Sequence, residues 1–416
     1  MNLRDFRRAG HAPSLLAAFL YFDVSFMAWV LLGALGNSIA DEFGLSAAQK
    51  GLMVAVPLLG GALLRPLMGL LTDYGGARRA GLIGLTLTIV PLLLGWLWAD
   101  SFARMLVVGL MLGVAGASFA AALPLASRWY PPQYQGLALG IAGAGNSGTA
   151  LATFFGPRLA ELVGWHAVFG LALLPVVAVL GLFALLARDA PNRPAPKGLA
   201  SYAGVLGRRD AWWFCAFYAV TFGGFVGLAS FLPIFFRDQY ALGKVAAGNF
   251  ATLCVVAGSF LRPLGGYLAD RFGGVRVLVV LFLGLAVLMS GVAAMPPLVQ
   301  GAGLLFLGMA ALGLGNGAVF QLVPNRFPRE IGVVTGLVGA VGGLGGFALP
   351  NVLGGLRQAS GHFGGGFAAF ALAALMAAVA MAAVGRAWQA ESETTFTVLD
   401  DAAPVPGFET GLEAAS

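Results

Sequence analysis

The chain has few charged residues. Asp, Glu, Lys and Arg make up 10% of its 416 residues, against about a quarter in ordinary soluble domains. The sequence is 59% hydrophobic, and its mean hydropathy is +0.86. These values exclude a soluble globular protein and predict one that lies in a lipid bilayer.

Cysteine and histidine are scarce. The two cysteines, Cys215 and Cys254, lie in apolar segments and form no metal-ligand pattern, so they are interpreted as buried, inert thiols. The three histidines, His11, His166 and His362, fall in predicted terminal or loop regions, where surface roles are expected. The sequence has no HExxH motif and no paired acids in its apolar segments. We therefore predict no catalytic residue, no metal and no other cofactor, which argues against an intramembrane enzyme.

Two further features are missing. The N-terminus, MNLRDFRRAGHAPS, is a basic arm without the short apolar core and small-residue cleavage site of a removable signal peptide. No substantial soluble domain is evident that could report ligand binding, which argues against a receptor or sensor. In a soluble protein the net charge of +6 would suggest binding to nucleic acid. Here the basic residues are interpreted as topology signals, and no nucleic-acid partner is expected.

Two arginines lie inside long apolar segments. The segments around them are nearly identical, GALLRPLMGLLTDYGG and GSFLRPLGGYLADRFGG. Arg65 and Arg262 are 197 residues apart, as are Asp73 and Asp270. An arginine at membrane depth costs roughly 2.5–3.5 kcal/mol on insertion scales, so such residues are usually functional. An internal repeat that pairs them predicts one anion site at the interface of two halves.

Twelve apolar runs are each long enough to cross about 30 Å of hydrocarbon as a helix. The predicted spans are 15–36, 48–71, 80–98, 102–126, 136–157, 166–187, 212–235, 247–269, 275–295, 299–323, 331–354 and 365–386. We therefore expect an all-α membrane protein with twelve transmembrane helices in two six-helix bundles. The expected divisions are an N-terminal bundle at 1–187, a cytoplasmic linker at 188–211, a C-terminal bundle at 212–386 and an acidic, disordered cytoplasmic tail at 387–416.

Lysine and arginine are distributed unevenly between the predicted loops. With the N-terminus inside, sixteen fall in cytoplasmic segments and six on the other face. Those six are Lys50, Arg104, Arg158, Arg237, Lys244 and Arg357. By the positive-inside rule, both termini and the linker are expected in the cytoplasm, with the protein in the cytoplasmic (inner) membrane.

The repeat and two loops resemble the major facilitator superfamily, whose substrates bind near the bilayer midplane between the halves. The loop after span 8, GYLADRFG, closely matches the cytoplasmic signature of that family. The loop after span 2, GLLTDYGG, keeps the glycine and the acid but lacks the arginine that follows the acid. The resemblance implies conformational gating, rather than substrate binding, for Gly69, Asp73, Gly266, Asp270 and Arg271.

Spans 5 and 11 each carry a glycine-rich segment, GIAGAGNSGT from residue 140 and GLVGAVGGLGG from residue 336. Each such glycine costs a helix up to about 1 kcal/mol relative to alanine. One interpretation is a packing seam of small residues. As a pair, the segments also resemble the two signature helices of the nitrate/nitrite porter family, and the resemblance covers roughly residues 15–386. The signature glycines are Gly143, Gly145, Gly339, Gly342 and Gly343.

That resemblance implies a substrate site. Members of the family place one arginine in each of spans 2 and 8 and hold a planar anion between aromatic rings. Phe119 in span 4 corresponds to one ring, and span 7 has a tyrosine and a phenylalanine one helical turn apart on one face. The implied substrate-binding residues are Arg65, Arg262, Phe119, Tyr218, Phe222 and Asn146.

The chemistry of these residues suits a small planar anion. A guanidinium can bind the edge of an oxyanion through two parallel hydrogen bonds. Flat aromatic walls would exclude tetrahedral sulfate or phosphate by shape, and an entering anion would relieve repulsion between the arginines. We therefore expect a monomeric secondary active transporter of nitrate or nitrite that works by alternating access. A porter for another small anion, such as a carboxylate, is an alternative.

Asp23 bears on how transport is driven. It lies about eight residues into span 1, in the segment YFDVSF. One interpretation is an ion pair with a neighbouring basic residue near the cytoplasmic end; the other is a proton-coupling carboxylate. The segment also resembles the start of the proton-coupled branch of the family. We predict proton-coupled nitrate uptake, with nitrate/nitrite exchange as the alternative.

Overall fold

The computed structural model describes residues 3–191, 204–327 and 331–400, which form helices and short connections without a strand. A short helix, Leu3–Ala9, precedes twelve spans. Spans 1 to 6 are Ala12–Trp29 with Leu31–Phe43, Ala47–Gly75, Ala77–Leu97, Phe102–Gly116 with Phe119–Ser127, Pro132–Gly143 with Ala144–Ser147 and Gly148–Val163, and Trp165–Leu186. Spans 7 to 12 are Arg209–Tyr218 with Ala219–Gly223 and Gly224–Tyr240, Lys244–Phe260 with Arg262–Phe272, Gly274–Ala293, Leu298–Arg326, Ile331–Ser360 and Gly364–Asp400. The predicted all-α fold is confirmed.

Eleven described helical segments are individually long and apolar enough to cross a membrane. The fifth span is divided by a turn of 3₁₀-helix at Ala144–Ser147, which leaves two shorter helices. Spans 1 and 7 are each 32 residues long, longer than predicted. They continue because a helix satisfies its own backbone groups in water as well as in lipid, so it does not need to end where the apolar residues end.

The internal repeat is present in the backbone. Spans 2 and 8 end at Gly76 and Gly273, which have φ angles of 91° and 87°. Their N–H groups donate to the carbonyl oxygens of Thr72 and Ala269, each at 3.0 Å. Glycine takes positive φ without steric cost. The same turn therefore follows both arginine-bearing spans.

The two halves pack through small residues. Span 2 lies along span 11, span 5 along span 8, and span 1 along span 7. A Cβ atom on Gly343 would lie 2.9 Å from Ala62 Cβ, and one on Gly248 would lie 2.7 Å from the Thr153 carbonyl oxygen. Such glycines let backbones approach closely. The packing-seam interpretation therefore holds for Gly343.

Successive spans are antiparallel, so their connections alternate between two faces. The proximal face carries Leu3–Ala9 and the end of span 6. The distal face carries the connections at 44–46, 98–101, 164, 241–243, 294–297 and 361–363. The candidate site described next lies between these faces.

Both ends of the second half differ from the predicted bounds. Span 7 begins at Arg209, inside the predicted linker, and span 12 continues to Asp400, through part of the tail predicted to be disordered. Near this extension, the Trp388 indole N–H donates to Asp210 at 3.0 Å, which ties span 12 to the start of span 7. The remaining tail, 401–416, and linker residues 192–203 lie outside the described residues.

Candidate functional site

Arg65 and Arg262 come together between the halves. Their exposed fractions are only 1% and 9%. Both guanidinium groups lie near one ring, with Cζ of Arg65 6.0 Å and Cζ of Arg262 5.7 Å from the centre of Phe119. Within the described ranges, neither arginine forms an ion pair with an acid. The interface therefore holds two buried positive charges without a counter-ion from those parts of the chain.

Backbone carbonyls hold Arg65. Its Nε donates to the carbonyl oxygen of Gly116 at 3.1 Å, and its Nη1 donates to that of Gly339 in span 11. Its Nη2 is buried and has no hydrogen-bond partner in the described part of the chain. One donor group of this guanidinium is therefore left for another acceptor.

A side chain holds Arg262. Its Nη2 donates to the hydroxyl oxygen of Tyr218 at 3.3 Å, whereas its Nη1 is buried without a partner among the residues described. An unmade hydrogen bond from a buried charged group is costly. The unpartnered groups of Arg65 and Arg262 together therefore indicate an anionic ligand.

Aromatic rings enclose the guanidinium groups. The rings of Tyr218 and Phe222 are stacked, with centres 5.0 Å apart and planes at 4°. Cζ of Arg65 lies 4.8 Å from the ring centre of Phe222. The predicted pair in span 7 is thus brought to the arginines, although Ala219–Gly223 forms a π-helical turn. Flat apolar surfaces border the charges.

Asn146 lies in the 3₁₀ turn of span 5. It is fully buried, and neither polar atom of its side chain has a partner within the described ranges. Its carbonyl oxygen accepts a hydrogen bond from Ser259 Oγ of span 8 at 3.4 Å. Ser259 is one turn before Arg262, so the Asn146 backbone contacts the helix that carries one arginine. Its role as a substrate contact stays a prediction.

Sequence reasoning missed two rings. Trp29 lies 5.2 Å from Cζ of Arg65 and donates its indole N–H to the Pro57 carbonyl oxygen at 2.7 Å. Phe320 lies 5.9 Å from Cζ of Arg262. The repeat could have indicated Phe320, because it follows by one helical turn the position that aligns with Phe119. Nothing in the repeat marks Trp29.

Three signature glycines border the site. A Cβ atom on Gly342 would lie 2.6 Å from Tyr218 Cδ1, and one on Gly339 would lie 3.7 Å from Arg65 Cδ. One on Gly143 would lie 3.9 Å from Arg262 Nε. These glycines therefore leave space for side chains of the candidate site.

The other two signature glycines pack helices together. A Cβ atom on Gly145 would lie 2.9 Å from Phe22 in span 1, and Gly343 packs against Ala62 in span 2, as described above. Of the five signature glycines, three therefore border the candidate site and two pack helices together.

Gly342→Ala should weaken binding of the anion that the sequence resemblance implies, nitrate, by about 5- to 150-fold, since overpacking at a tight contact costs about 1–3 kcal/mol. The new methyl group would push the Tyr218 ring. Gly336→Ala is the matched control in the same helix, because a Cβ atom there meets nothing within 4 Å. Nitrate affinity of the purified variants measures the difference; equal affinities would contradict the assignment.

The gating motif lies toward the proximal face. Asp73 accepts a hydrogen bond from Arg128 Nη2 at 3.0 Å. Arg128 directly follows span 4, so the end of another span supplies the basic partner that the first loop lacks. In the second copy, Arg271 Nη1 lies 3.5 Å from the Tyr267 hydroxyl oxygen.

The glycines and acids of this motif follow the central arginines along spans 2 and 8. Gly69 and Asp73 lie in span 2, and Gly266 and Asp270 lie in span 8. All four are between the central arginine and the proximal end of the span. Their role in gating stays a prediction.

Asp23 lies in span 1, with its side chain in contact with span 5, and is 9% exposed. Its Oδ1 accepts a hydrogen bond from Ser147 Oγ at 2.6 Å. No basic residue in the described part of the chain forms an ion pair with it. The preceding residue, Phe22, has its ring centre 5.9 Å from that of Phe119. The observed contacts thus favour the interpretation in which Asp23 is not held by a cation.

None of the site contacts described above involves a cysteine or a histidine. Cys215 and Cys254 are buried, free thiols, as predicted. His166 contacts the Ala99 carbonyl oxygen at 3.2 Å on the distal face, and His11 lies at the start of span 1. His362 accepts from the backbone N–H of Gly364 in the last distal connection.

The chain matches the Major Facilitator Superfamily over residues 17–350. It is 17% identical to a D-xylose-proton symporter of known crystal structure, with a TM-score of 0.73 over 89% of this chain and 96% of the symporter. A crystal structure of a bacterial homologue of the human lysosomal transporter Spinster gives a TM-score of 0.66 at 18% identity, over 89% of this chain and 96% of that one. These likenesses show the fold.

Curated relatives are more similar in sequence. The probable nitrate/nitrite transporter NarK2 of Mycobacterium tuberculosis is 39% identical, covering 83% of this chain and 89% of the relative. The nitrite extrusion protein of Bacillus subtilis is 34% identical, covering 89% and 93%. The probable nitrate/nitrite antiporter NarK1 of Thermus thermophilus is 35% identical, covering 80% and 82%. The chain is therefore a multi-pass membrane protein that belongs to the major facilitator superfamily and, within it, to the family of nitrate/nitrite transporters.

Proposed function

We propose that this protein is a secondary transporter that carries nitrate and nitrite across the cytoplasmic membrane by alternating access. One observation carries the proposal: Arg65 and Arg262 meet at the interface of the halves, and each keeps a buried N–H₂ group that has no hydrogen-bond partner among the described residues. The printed names of the relatives support the choice of anion. Transport, rather than catalysis, is the activity of the family.

The site favours a small planar anion. Two planar guanidinium groups offer donors in fixed directions, and Phe119 and Phe222 present flat apolar faces beside them. Nitrate and nitrite are planar and carry delocalised charge, so they can accept these hydrogen bonds between the rings. An anion bound between Arg65 and Arg262 would also neutralise their like charges, which would allow the two halves to approach each other.

Counterflow in proteoliposomes tests this proposal. Vesicles that contain the purified protein and unlabelled nitrate should accumulate labelled nitrate or nitrite, and protein-free vesicles should not. Formate and oxalate should compete weakly with nitrate, and sulfate should not compete. Counterflow of formate or oxalate without counterflow of nitrate or nitrite would support the alternative, a carboxylate porter.

The proposed orientation places the proximal face in the cytoplasm. Most loop lysines and arginines belong to that face, in accord with the positive-inside rule. Both termini and the linker would then be cytoplasmic, and the distal face would be outside. We propose a monomer in the lipid bilayer as the working unit, since the site lies within one chain.

Asp23 is the proposed proton-coupling group, and its replacement gives a prediction. In Asp23→Asn, nitrate uptake driven by an imposed proton gradient should fall at least about tenfold, because an amide cannot carry the proton. Counterflow without a gradient should persist, since the arginines are unchanged. Uptake assays with and without the gradient measure both.

A surface acid provides the control for this prediction. Asp100→Asn alters an acid that pairs with Arg104 on the distal face and should leave both activities as in the parent. Gradient-driven uptake that survives in Asp23→Asn would contradict the role of Asp23.

Nitrate/nitrite exchange is the second candidate mechanism. It is favoured by a relative named as a probable nitrate/nitrite antiporter. If exchange is the mechanism, nitrate uptake by the parent protein should require nitrite or nitrate inside the vesicles and should not respond to a proton gradient. The two mechanisms therefore differ in the same assay.

A further inference from the structure

Ion pairs join the two halves at the distal face. Asp41, at the end of span 1, pairs with Arg237 of span 7 and with Lys244 of span 8, each at 2.9 Å. Lys50, at the start of span 2, pairs with Asp238 of span 7 at 2.7 Å. Each pair has one member in the N-terminal half and the other in the C-terminal half.

Ion pairs near the proximal face have a different arrangement. Asp73 pairs with Arg128 inside the N-terminal half, and Asp210 pairs with Arg326 inside the C-terminal half. Among the residues that the structure describes, the ion pairs that cross between the halves are therefore all on the distal face. These contacts tie the halves together at one end.

Hydrogen bonds strengthen the same junction. The Asn37 side chain donates to the Pro233 carbonyl oxygen at 2.8 Å, and Arg237 Nη1 donates to the Asn37 carbonyl oxygen at 3.0 Å. The backbone N–H of Ala48 donates to the Gln358 side chain at 3.0 Å. All three bonds cross between the halves, so they add to the contact that the ion pairs make.

The charges are arranged as a complementary pattern. Adjacent residues Arg237 and Asp238 have opposite signs, and they face Asp41 and Lys50, which also have opposite signs. The Lys50 and Asp238 side chains are only 19% and 20% exposed. Partial burial reduces screening by salt. Such a pattern fixes how the halves meet, because a shifted register would bring like charges together.

The pattern also explains why some basic residues lie on the distal face, where the positive-inside rule does not predict them. The distal face has six lysines and arginines, of which Lys50, Arg237 and Lys244 form these ion pairs. A fourth, Arg158, donates across the halves to Asn249 at 2.6 Å. Most basic residues on this face thus contact the opposite half.

We propose that Asp41, Lys50, Arg237, Asp238 and Lys244 form an ion-pair latch that closes the distal entrance to the arginine site. The latch must open before an anion can reach the site from the distal face. Ion pairs that water still reaches are individually weak, so the three partly buried pairs act together and can break when the halves rock apart. The inference rests on the proposed function only through this rocking motion.

A buried reporter cysteine tests the latch. Ile234 is completely buried, and a Cβ atom on Gly36 of the opposite half would lie 2.9 Å from its Cδ1. It is one helical turn before Asp238, beneath the latch. Ile234→Cys is placed in a Cys215→Ala, Cys254→Ala background, and labelling by a membrane-impermeant thiol reagent is measured from the distal face.

Lys50→Glu should raise the labelling rate by about tenfold, since like charges then face each other across the halves. The exchange Lys50→Glu with Asp238→Lys restores opposite charges and should return the rate to within about twofold of the parent. Arg104→Glu is the matched control, because it reverses a charge of the Arg104–Asp100 pair, which lies on the same face but within one half. Its rate should equal that of the parent.

Two outcomes would overturn the latch: an unchanged rate in Lys50→Glu, or a double exchange that labels as fast as Lys50→Glu alone. If Lys50→Glu does not fold, Asp238→Asn carries the test, with an expected rise of about threefold and an unchanged rate as the contrary result. Labelling needs no transported anion. A latch that behaves as expected in a protein without nitrate or nitrite counterflow would therefore refute the proposed function and not the latch.

Discussion

Arg262→Lys should weaken nitrate binding by about 10- to 100-fold. Lysine keeps the positive charge but loses the planar fork, so the anion loses one or more charge-assisted hydrogen bonds, each worth about 1.5–3 kcal/mol. Arg262 Nη2 already donates to Tyr218, and Nη1 has no partner in the part of the chain that the structure describes, so the guanidinium is oriented before the anion arrives. An ammonium group at this position has no such fixed direction.

Isothermal titration with nitrate measures the effect. Arg104→Lys is the control, because Arg104 is an exposed arginine on the distal face, and its affinity should match that of the parent. Arg65→Lys should be impaired to a similar degree and should also lose the bonds to Gly116 and Gly339. Parent-like affinity in Arg262→Lys would show that charge alone binds the anion.

Phe119→Ala should weaken nitrate binding by about 100-fold and reduce discrimination against sulfate. Its ring lies near both guanidinium groups and is 4% exposed. Removing a buried phenylalanine side chain costs about 3–5 kcal/mol, and part of that loss should appear as poorer positioning of the arginines. The space left by the ring would admit a tetrahedral anion that a flat wall excludes.

Competition of sulfate against labelled nitrate in proteoliposomes measures the change in selectivity. Phe155→Ala is the matched control, since this ring is 50% exposed on the surface of span 5. It should leave both affinity and selectivity unchanged. Selectivity equal to that of the parent in a folded Phe119→Ala protein would assign Phe119 a packing role alone.

The sequence could predict two kinds of feature: those that the internal repeat pairs, and residues whose burial in a membrane costs much free energy. Arg65 and Arg262 were identifiable because a buried charge is rare in a membrane span and because the repeat pairs them. Tyr218 and Phe222 were expected on one face from their spacing, and their rings stack. The all-helical architecture followed from long apolar runs, since each span can be recognised independently of its neighbours.

Other features depend on how helices meet, which one sequence does not specify. The carbonyl oxygens of Gly116 and Gly339 bind Arg65, but every residue has a carbonyl group, so no residue type marks them. The hydrogen bond from Ser147 to Asp23 joins residues 124 positions apart. Bounds of spans 1 and 7 were missed because polar residues continue a helix beyond the apolar stretch.

The two arginines are copies in the repeat, but they are held by different kinds of acceptor. A single substitution of Tyr218 by phenylalanine would remove the hydroxyl group that holds Arg262. No substitution can delete the carbonyl groups that hold Arg65; only movement of two helix backbones would withdraw them. Selection can therefore adjust the two halves of the anion site to different degrees. The second half can diverge in its arginine contacts by single steps, while the first is constrained by the architecture itself.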